Sequence, residues 1–418
     1  MSGPENFNEI IACQDCGHLT RLSALPDKTI AKCFRCDARL CHEARDTTDR
    51  TLALALTSLI LFAIANLYPF LSMSIEGFVQ QTNLITGIFT LYHQGMIGLA
   101  SIVFLTVAIL PLIQILGIIY IYLPIKLGII PWKTASTFRA IQHLQPWGMM
   151  EVYMLGILIS MVKLAKMATI IPGIASGAFM ILICVLAATL SGLNPDDVWK
   201  RMTIKINSTP EGRDKEVFLI GCRSCALVCR TPGLRSHYTC PRCKAPLHFR
   251  KTGSIQRTWA LIIAAFILYV PANIFPVTMT STLGHEQADT IFSGVIYFIV
   301  SGSWHIAIVI FVASVIVPLV KLFVLLYLLI SVQKKSSWKP EDRTRLYRMT
   351  EVVGRWSMVD VYVVTILVSL VQLGPIATIT AGPGAAYFSA VVILTMLAAE
   401  SFDPRLIWDA LEENNEYT

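Results

Sequence analysis

The chain has 418 residues, of which 55% are hydrophobic and only 15% charged, with a formal net charge of +7. Soluble domains carry about 25% charged residues, so this composition excludes an ordinary soluble enzyme and calls for an apolar solvent. The positive balance sits in loops of the kind that orient a membrane protein, and does not by itself indicate a nucleic acid or another anionic partner.

The first 50 residues are polar and lack the apolar stretch of a signal peptide, so the amino terminus is expected to remain unexported. They contain "CQDCGHLTRLSALPDKTIAKCFRC", which sets Cys13, Cys16, Cys33 and Cys36 in a C-x2-C-x16-C-x2-C spacing. Two such pairs let two knuckle turns converge four thiolates on one Zn2+ in a closed, structural site. Disulfides are disfavoured in a reducing cytoplasm. Thioredoxin-like redox work needs one pair beside a βαβ unit, and an iron–sulfur cluster is the remaining use of four thiolates.

Apolar runs then predict eight spans, at 52–71, 97–123, 149–168, 174–192, 257–277, 303–331, 357–373 and 385–401. Each is near the length that crosses a ~30 Å hydrocarbon core. The segment 72–96 has no Lys or Arg, only Glu76, and 278–302 carries only Glu286 and Asp289. Lys126, Lys133 and Arg139 follow span two, and Lys334, Lys335, Arg343, Arg345 and Arg348 follow span six. The positive-inside rule therefore puts the amino terminus, the 193–256 segment and the tail in the cytoplasm.

Span one closes on "ANLYPF", with Asn66 three residues before Pro69. Proline removes a helical hydrogen bond and disfavours helix before it, so a helix break is expected at the outer end. Non-helical backbone there has to be buried in protein or face a polar cavity. Among ionisable groups within spans, functional candidates by default, Lys163 stands 12 residues after Glu151, ~18 Å along span three. Lys166 is one turn further, where snorkelling to headgroups is the plainer reading. Lys321 follows Pro318 in span six, and Gln114 and Gln372 are the amide counterparts of Lys321 and Lys163. The expectation is a polar network of Lys163, Lys321, Gln114, Gln372 and Lys166 that holds an anionic headgroup or gates a path. Glu151 and Asp360, beside Trp147 and Trp356, read as interfacial anchors. Ser160 and Ser369 read as packing residues, and Cys184 as a small buried one.

A second cysteine set, Cys222, Cys225, Cys240 and Cys243, has the spacing C-x2-C-x14-C-x2-C, and Cys229 offers a competing thiol. Its presence reveals a repeat. Cys33, Cys36, Asn66, Pro69 and Pro111 match Cys240, Cys243, Asn273, Pro276 and Pro318, 207 residues on. Trp147, Glu151, Tyr153 and Trp199 match Trp356, Asp360, Tyr362 and Trp408, 209 residues on. The expected fold is an α-helical polytopic membrane protein of two tandem parallel repeats, each a small β-rich cytoplasmic zinc ribbon followed by four transmembrane helices. The boundaries are 1–50 for the first ribbon, 51–206 for the first bundle, 207–253 for the second ribbon and 254–418 for the second bundle with a short cytoplasmic tail.

The tandem C-x2-C pairs before four spans, the duplicated N-x-x-P element and the repeat together resemble the paraquat-inducible protein A family, PqiA with its LetA/YebS relatives. The resemblance runs from about Cys13 to Trp408. It implies a multi-pass protein of the bacterial inner membrane that passes phospholipid to a periplasmic MCE-domain tunnel and supports outer-membrane integrity. Its implied partners are the MCE protein, phospholipids and the membrane, with no nucleic acid. The residues themselves show no nucleophile elbow, P-loop or H-E-x-x-H, so no enzyme is expected. Two other classes fit them: a membrane-anchored zinc-ribbon sensor or scaffold for envelope stress, and a membrane thiol oxidoreductase.

Overall fold

The computed structural model describes residues 10–21, 30–42, 47–75, 78–129, 131–164, 169–193, 198–199, 218–231, 238–282, 285–302, 304–372 and 377–415. Lys166 lies outside them. The first ribbon is two short hairpins, β1 (Ile10–Ala12) with β2 (Leu19–Arg21), and β3 (Ile30–Lys32) with β4 (Arg39–His42). The first bundle follows as α1 (Thr47–Leu67), β5 (Leu71–Ile75), β6 (Phe78–Thr82), α2 (Thr86–His93), α3 (Ile97–Phe104), α4 (Leu110–Lys126), α5 (Thr134–Leu144), α6 (Met150–Leu164), β7 (Thr169–Pro172) and α7 (Ile174–Ser191).

The second ribbon repeats the hairpin pair as β8 (Phe218–Gly221), β9 (Val228–Thr231), β10 (Tyr238–Thr239) and β11 (Pro246–Leu247). The second bundle comprises α8 (Ser254–Ile274), β12 (Thr278–Thr282), β13 (His285–Asp289), α9 (Ile291–Val300), α10 (Trp304–Phe311), α11 (Val317–Gln333), α12 (Pro340–Val353), α13 (Val359–Leu370), β14 (Ala377–Ala381), α14 (Pro383–Ser401) and α15 (Leu406–Asn415). Eight helical segments among the described residues are long and apolar enough to cross a membrane.

The matched prolines leave identical marks. Pro111 and Pro318 lack the N–H that would bond the carbonyl four residues back, and a π-helical turn precedes each, at Leu105–Ile109 and Val312–Ile316. Spans three and seven are helical elbows. An amphipathic helix (α5, α12) runs into a 3-10 turn at Gln145–Trp147 or Trp356–Met358 before the apolar helix starts. The apolar helix α13 has only 12 residues, roughly 18 Å, too short to cross the hydrocarbon core alone.

Strands are the main departure from the expected all-helical bundles. On the side away from the ribbons, β5 pairs with β6 and β7, and β12 pairs with β13 and β14, giving one three-stranded antiparallel sheet per repeat. The helix breaks at Pro69 and Pro276 begin these sheets. Past them the backbone polar groups find ladder partners, as burial in an apolar medium requires. Gly173 packs on the carbonyl of Pro69, and Gly382 and Gly384 pack on that of Pro276, leaving no room for a Cβ.

One pseudo-two-fold axis relates the halves. In the membrane it passes between α6 and α13, where repeat mates Tyr153 and Tyr362 meet edge to face with centroids 5.3 Å apart. Gly156 makes the approach: a Cβ there would lie 2.9 Å from the Cβ of Tyr362. On the ribbon side it passes between mates Ala12 and Gly221, which touch, and Ile11 bridges to Leu227. Each ribbon packs beneath the bundle it does not precede. The first shares a core with Ile262, Leu322, Tyr347, Phe402 and Trp408, and the second with Leu52, Ile118, Phe138 and Trp199.

The Gly156 contact makes a prediction. Gly156→Leu overpacks the α6–α13 interface and is expected to lower stability by about 1–3 kcal/mol, read as a lower Tm in detergent. Gly98→Leu, where no atom lies within 4 Å of a new Cβ, is expected to leave the Tm unchanged.

Candidate metal centres and polar seam

In each ribbon four Sγ atoms lie within 4.8 Å of one another, all buried: Cys13, Cys16, Cys33 and Cys36, and Cys222, Cys225, Cys240 and Cys243. The closest pairs are Cys13–Cys36 at 3.5 Å, Cys16–Cys33 at 3.6 Å, Cys222–Cys243 at 3.4 Å and Cys225–Cys240 at 3.5 Å. Tetrahedral ligands at a metal–sulfur distance of about 2.3 Å stand about 3.8 Å apart, so both clusters fit a metal ion.

The knuckles carry a second sign. The residue after each C-x2-C pair has a left-handed backbone: Gly17, Asp37, Ala226 and Lys244, with φ of 78°, 56°, 55° and 56°. Only one is glycine. For the others this conformation costs roughly 1–3 kcal/mol, which the surrounding ligand geometry has to hold. Neighbouring S–H groups pull down Cys13 in the first cluster, through Cys16 and Cys36, and in the second Cys240, through Cys222 and Cys225, and Cys222, through Cys225. Cys229 lies on β9, outside the four-sulfur group, with its Sγ 3.8 Å from the Leu227 carbonyl. Cys41 lies on β4. Cys184, expected to be buried, instead faces outward from α7.

Side chains from the opposite bundle fasten the first ribbon. Arg348 of α12 pairs with Asp15 at 2.9 Å and donates to the Cys36 carbonyl. Arg405 donates to the Gln14 carbonyl at 3.1 Å, and the Arg35 guanidinium sits 4.7 Å over the Trp408 ring. Gln14 in turn donates to the carbonyl of its mate Arg223 at 2.9 Å.

Within the spans, the structure divides the expected network. Gln114 is buried and donates to the Leu144 carbonyl at 3.0 Å, capping the end of α5. Lys321 occupies the matching place in the second repeat, its ammonium against Gly354 at the end of α12 and near Glu351. A cation there complements the helix dipole. Gln372 donates to the Val368 and Ile379 carbonyls at 2.9 and 3.1 Å, tying the short α13 to β14. Asn66 and Asn273 turn back onto their own helices, donating to Phe62 and Tyr269 carbonyls at 2.7 and 2.8 Å. These residues shape the local backbone and do not meet one another.

Lys163 is different. It ends α6, and its ammonium lies in the field of Asp289 and, less strongly, of Asp360. Asp360 faces Ser314 of the second π turn and has a buried Oδ2 without a hydrogen-bond donor. The first π turn meets the same helix: Tyr362 Oη donates to Thr106 Oγ1 at 2.9 Å. Asp360 therefore belongs to a polar seam at the centre of the bundle and is not the interfacial anchor its position suggests. The signal available in sequence was its place two residues before Tyr362, the mate of Tyr153, in an otherwise charge-free run.

The halves also differ. α2 docks on α13, where a Cβ on Gly87 would stand 3.0 Å from that of Ser369, yet a Cβ on its mate Gly294 in α9 would meet no other element within 4 Å. α6 lacks the close partner that α13 has in α2. Lys163 stands near the end of α6 and Asp289 just before α9, the two helices that lack this contact.

A family profile described as paraquat-inducible protein A matches residues 48–203 and 255–412, one copy per bundle. The chain belongs to this family. It is 34% identical over 404 residues to lipophilic envelope-spanning tunnel protein A of Escherichia coli K12, covering 96% of this chain and 92% of that protein. It is 32% identical over 414 residues to intermembrane transport protein PqiA of the same strain, covering 97% and 96%. A probable intermembrane transport protein of Haemophilus influenzae is 31% identical over 407 residues, covering 96% of each chain. No solved structure matches.

The metal centres predict an outcome that fixes the ligand set. Two metal equivalents per chain are expected from purified protein by elemental analysis, one after Cys240→Ser, and still two after Cys229→Ser.

Proposed function

We propose that this protein is an inner-membrane subunit of a lipid transport system. It passes phospholipid between that membrane and a periplasmic MCE-domain tunnel protein and so supports the outer membrane. The observation that carries the reading is the broken symmetry around Lys163. One flank of the central helix pair is closed by α2. The other, on α6, near whose end the half-buried Lys163 stands, lacks the matching contact at Gly294 of α9. An intramembrane cation on a lipid-facing flank suits an amphiphile with an anionic phosphate. The names of the relatives, intermembrane transport proteins and an envelope-spanning tunnel protein, point the same way.

In this reading both ribbons and both termini are cytoplasmic, because Lys126, Arg139, Lys334 and Arg348 lie on that side. Each ribbon holds one Zn2+ on its four cysteines. The ion supplies folding energy and no open coordination position, so it takes no part in a reaction. The two outer sheets present polar strand residues to the periplasm, where the MCE protein docks. No step calls for an enzyme.

Two measurements test this. Affinity purification from cells is expected to bring down a periplasmic MCE-domain protein and phospholipid, and recovery of a cytoplasmic partner alone would favour a scaffold. Lys163→Ala is expected to reduce lipid transfer to the MCE partner by about tenfold, the effect of one charge-assisted contact, at unchanged protein level. Lys163→Arg is expected to retain most of it.

A further inference from the structure

A large cavity of about 880 Å³ opens on the ribbon side, beneath the elbows of spans three and seven and between the second ribbon and α14. Its cationic lining comes from six residues: Arg139, Arg223, Lys251, Arg257, Lys321 and Arg355. Two carboxylates, Glu351 and Glu400, oppose them, and Glu400 is engaged by His143 at 3.2 Å. The Lys251 ammonium donates to the Glu400 and Phe402 carbonyls and Lys321 lies near Glu351, while among the described residues no carboxylate pairs with Arg139, Arg257 or Arg355. The Arg355 Nε is buried without an acceptor, and Arg223 reaches its nearest carboxylate, Asp403, only at 3.7 Å. Burial, and then the Arg223 guanidinium, pull the Lys251 ammonium down to about 8. The same walls include Pro146, Trp147, Met396 and Leu397, so basic and apolar surfaces alternate.

We propose that this cavity is a binding site for a phosphate ester, with the phosphate held by Arg139, Arg257 and Arg355 and the rest of the molecule lying on Trp147 and Met396. Guanidinium groups match phosphate oxygens in geometry and charge. The low-dielectric walls make an unneutralised cation cluster costly until an anion fills it. Two sources present this chemistry at that depth, an anionic phospholipid headgroup from the adjacent leaflet and a soluble phosphate compound. The site lies on the opposite side from the outer sheets, and its existence does not require the transport reading.

Full-length protein in a neutral detergent, with both metal equivalents, is titrated calorimetrically with dihexanoyl phosphatidylglycerol, dihexanoyl phosphatidylcholine, inorganic phosphate and pyrophosphate. Saturable binding of phosphatidylglycerol without pyrophosphate binding supports the site with a lipid source. Saturable pyrophosphate or phosphate binding supports it with a soluble source. Arg139 is half-buried and bonds within α5, to the Ala135 carbonyl and Ser136 Oγ, and Arg257 is exposed, so the double variant R139Q/R257Q is expected to keep its fold, checked by Tm and metal content. It should weaken anion binding at least about tenfold, as loss of a charged hydrogen bond implies. Lys334→Gln, outside the cavity, should leave binding unchanged. Absence of saturable anion binding, phosphatidylcholine binding as tight as phosphatidylglycerol, or undiminished affinity in a folded R139Q/R257Q protein would each overturn the proposal.

Discussion

Everything in this molecule is arranged around the close approach of α6 and α13 at Gly156 and Tyr362. Without a hydrophobic force between helices in lipid, association rests on close packing and polar contacts. A missing Cβ lets Tyr362 settle on the backbone of α6, and the two tyrosines fill the axis edge to face. From that seam Tyr362 reaches Thr106 in span two, while Asp360 reaches Ser314 in span six. Both partners lie in the π turns induced by Pro111 and Pro318. One interface thus registers four spans, two from each repeat.

The ribbons lock the same axis from the other side. Because each packs under the opposite bundle, the halves cannot separate without exposing both cysteine cores. Loss of metal from one ribbon is then felt in the other half, through Arg348 and Trp408 for the first ribbon. A half-buried ion pair such as Arg348–Asp15 adds little net stability in isolation. Its direction fixes which bundle the ribbon chooses.

Much of this was legible in the residues, and for physical reasons. Charge-free runs reveal spans because an unpaired charge in hydrocarbon is costly, and C-x2-C pairs reveal knuckles because the spacing closes on one ion. The duplication is visible as matched Pro, Asn and Trp positions. The three-stranded outer sheets were not legible: "LSMSI" and "TMTST" are short, and what makes them strands is pairing with β7 and β14, about 100 residues away in the chain. The crossing of the ribbons was hidden for the same reason, since local spacing says nothing about which distant surface a module covers. Gln114 and Gln372 looked like a transport network because they match lysines in the repeat. Their amides instead satisfy carbonyls at broken helix ends, where burial leaves no water to do so. Asp360, by contrast, was read as an anchor, because a carboxylate in the first turn of a helix has a plain electrostatic use.

The departure from symmetry is where function enters. A perfect two-fold would close both flanks of the central pair or neither. Gly87 is packed and Gly294 is open, and the single lysine at the end of α6 has only Gln372 as its mate. A passage with one open side has a direction. That account depends on the halves being interlocked about one axis, and the crossed ribbons test it most directly. A photo-crosslinking amino acid in place of Arg35, activated in intact membranes and mapped by peptide mass spectrometry, is predicted to join the first ribbon to peptides of α12 and α15 in the second repeat. Adducts confined to α5 and the segment around Trp199, in the ribbon's own repeat, would contradict it.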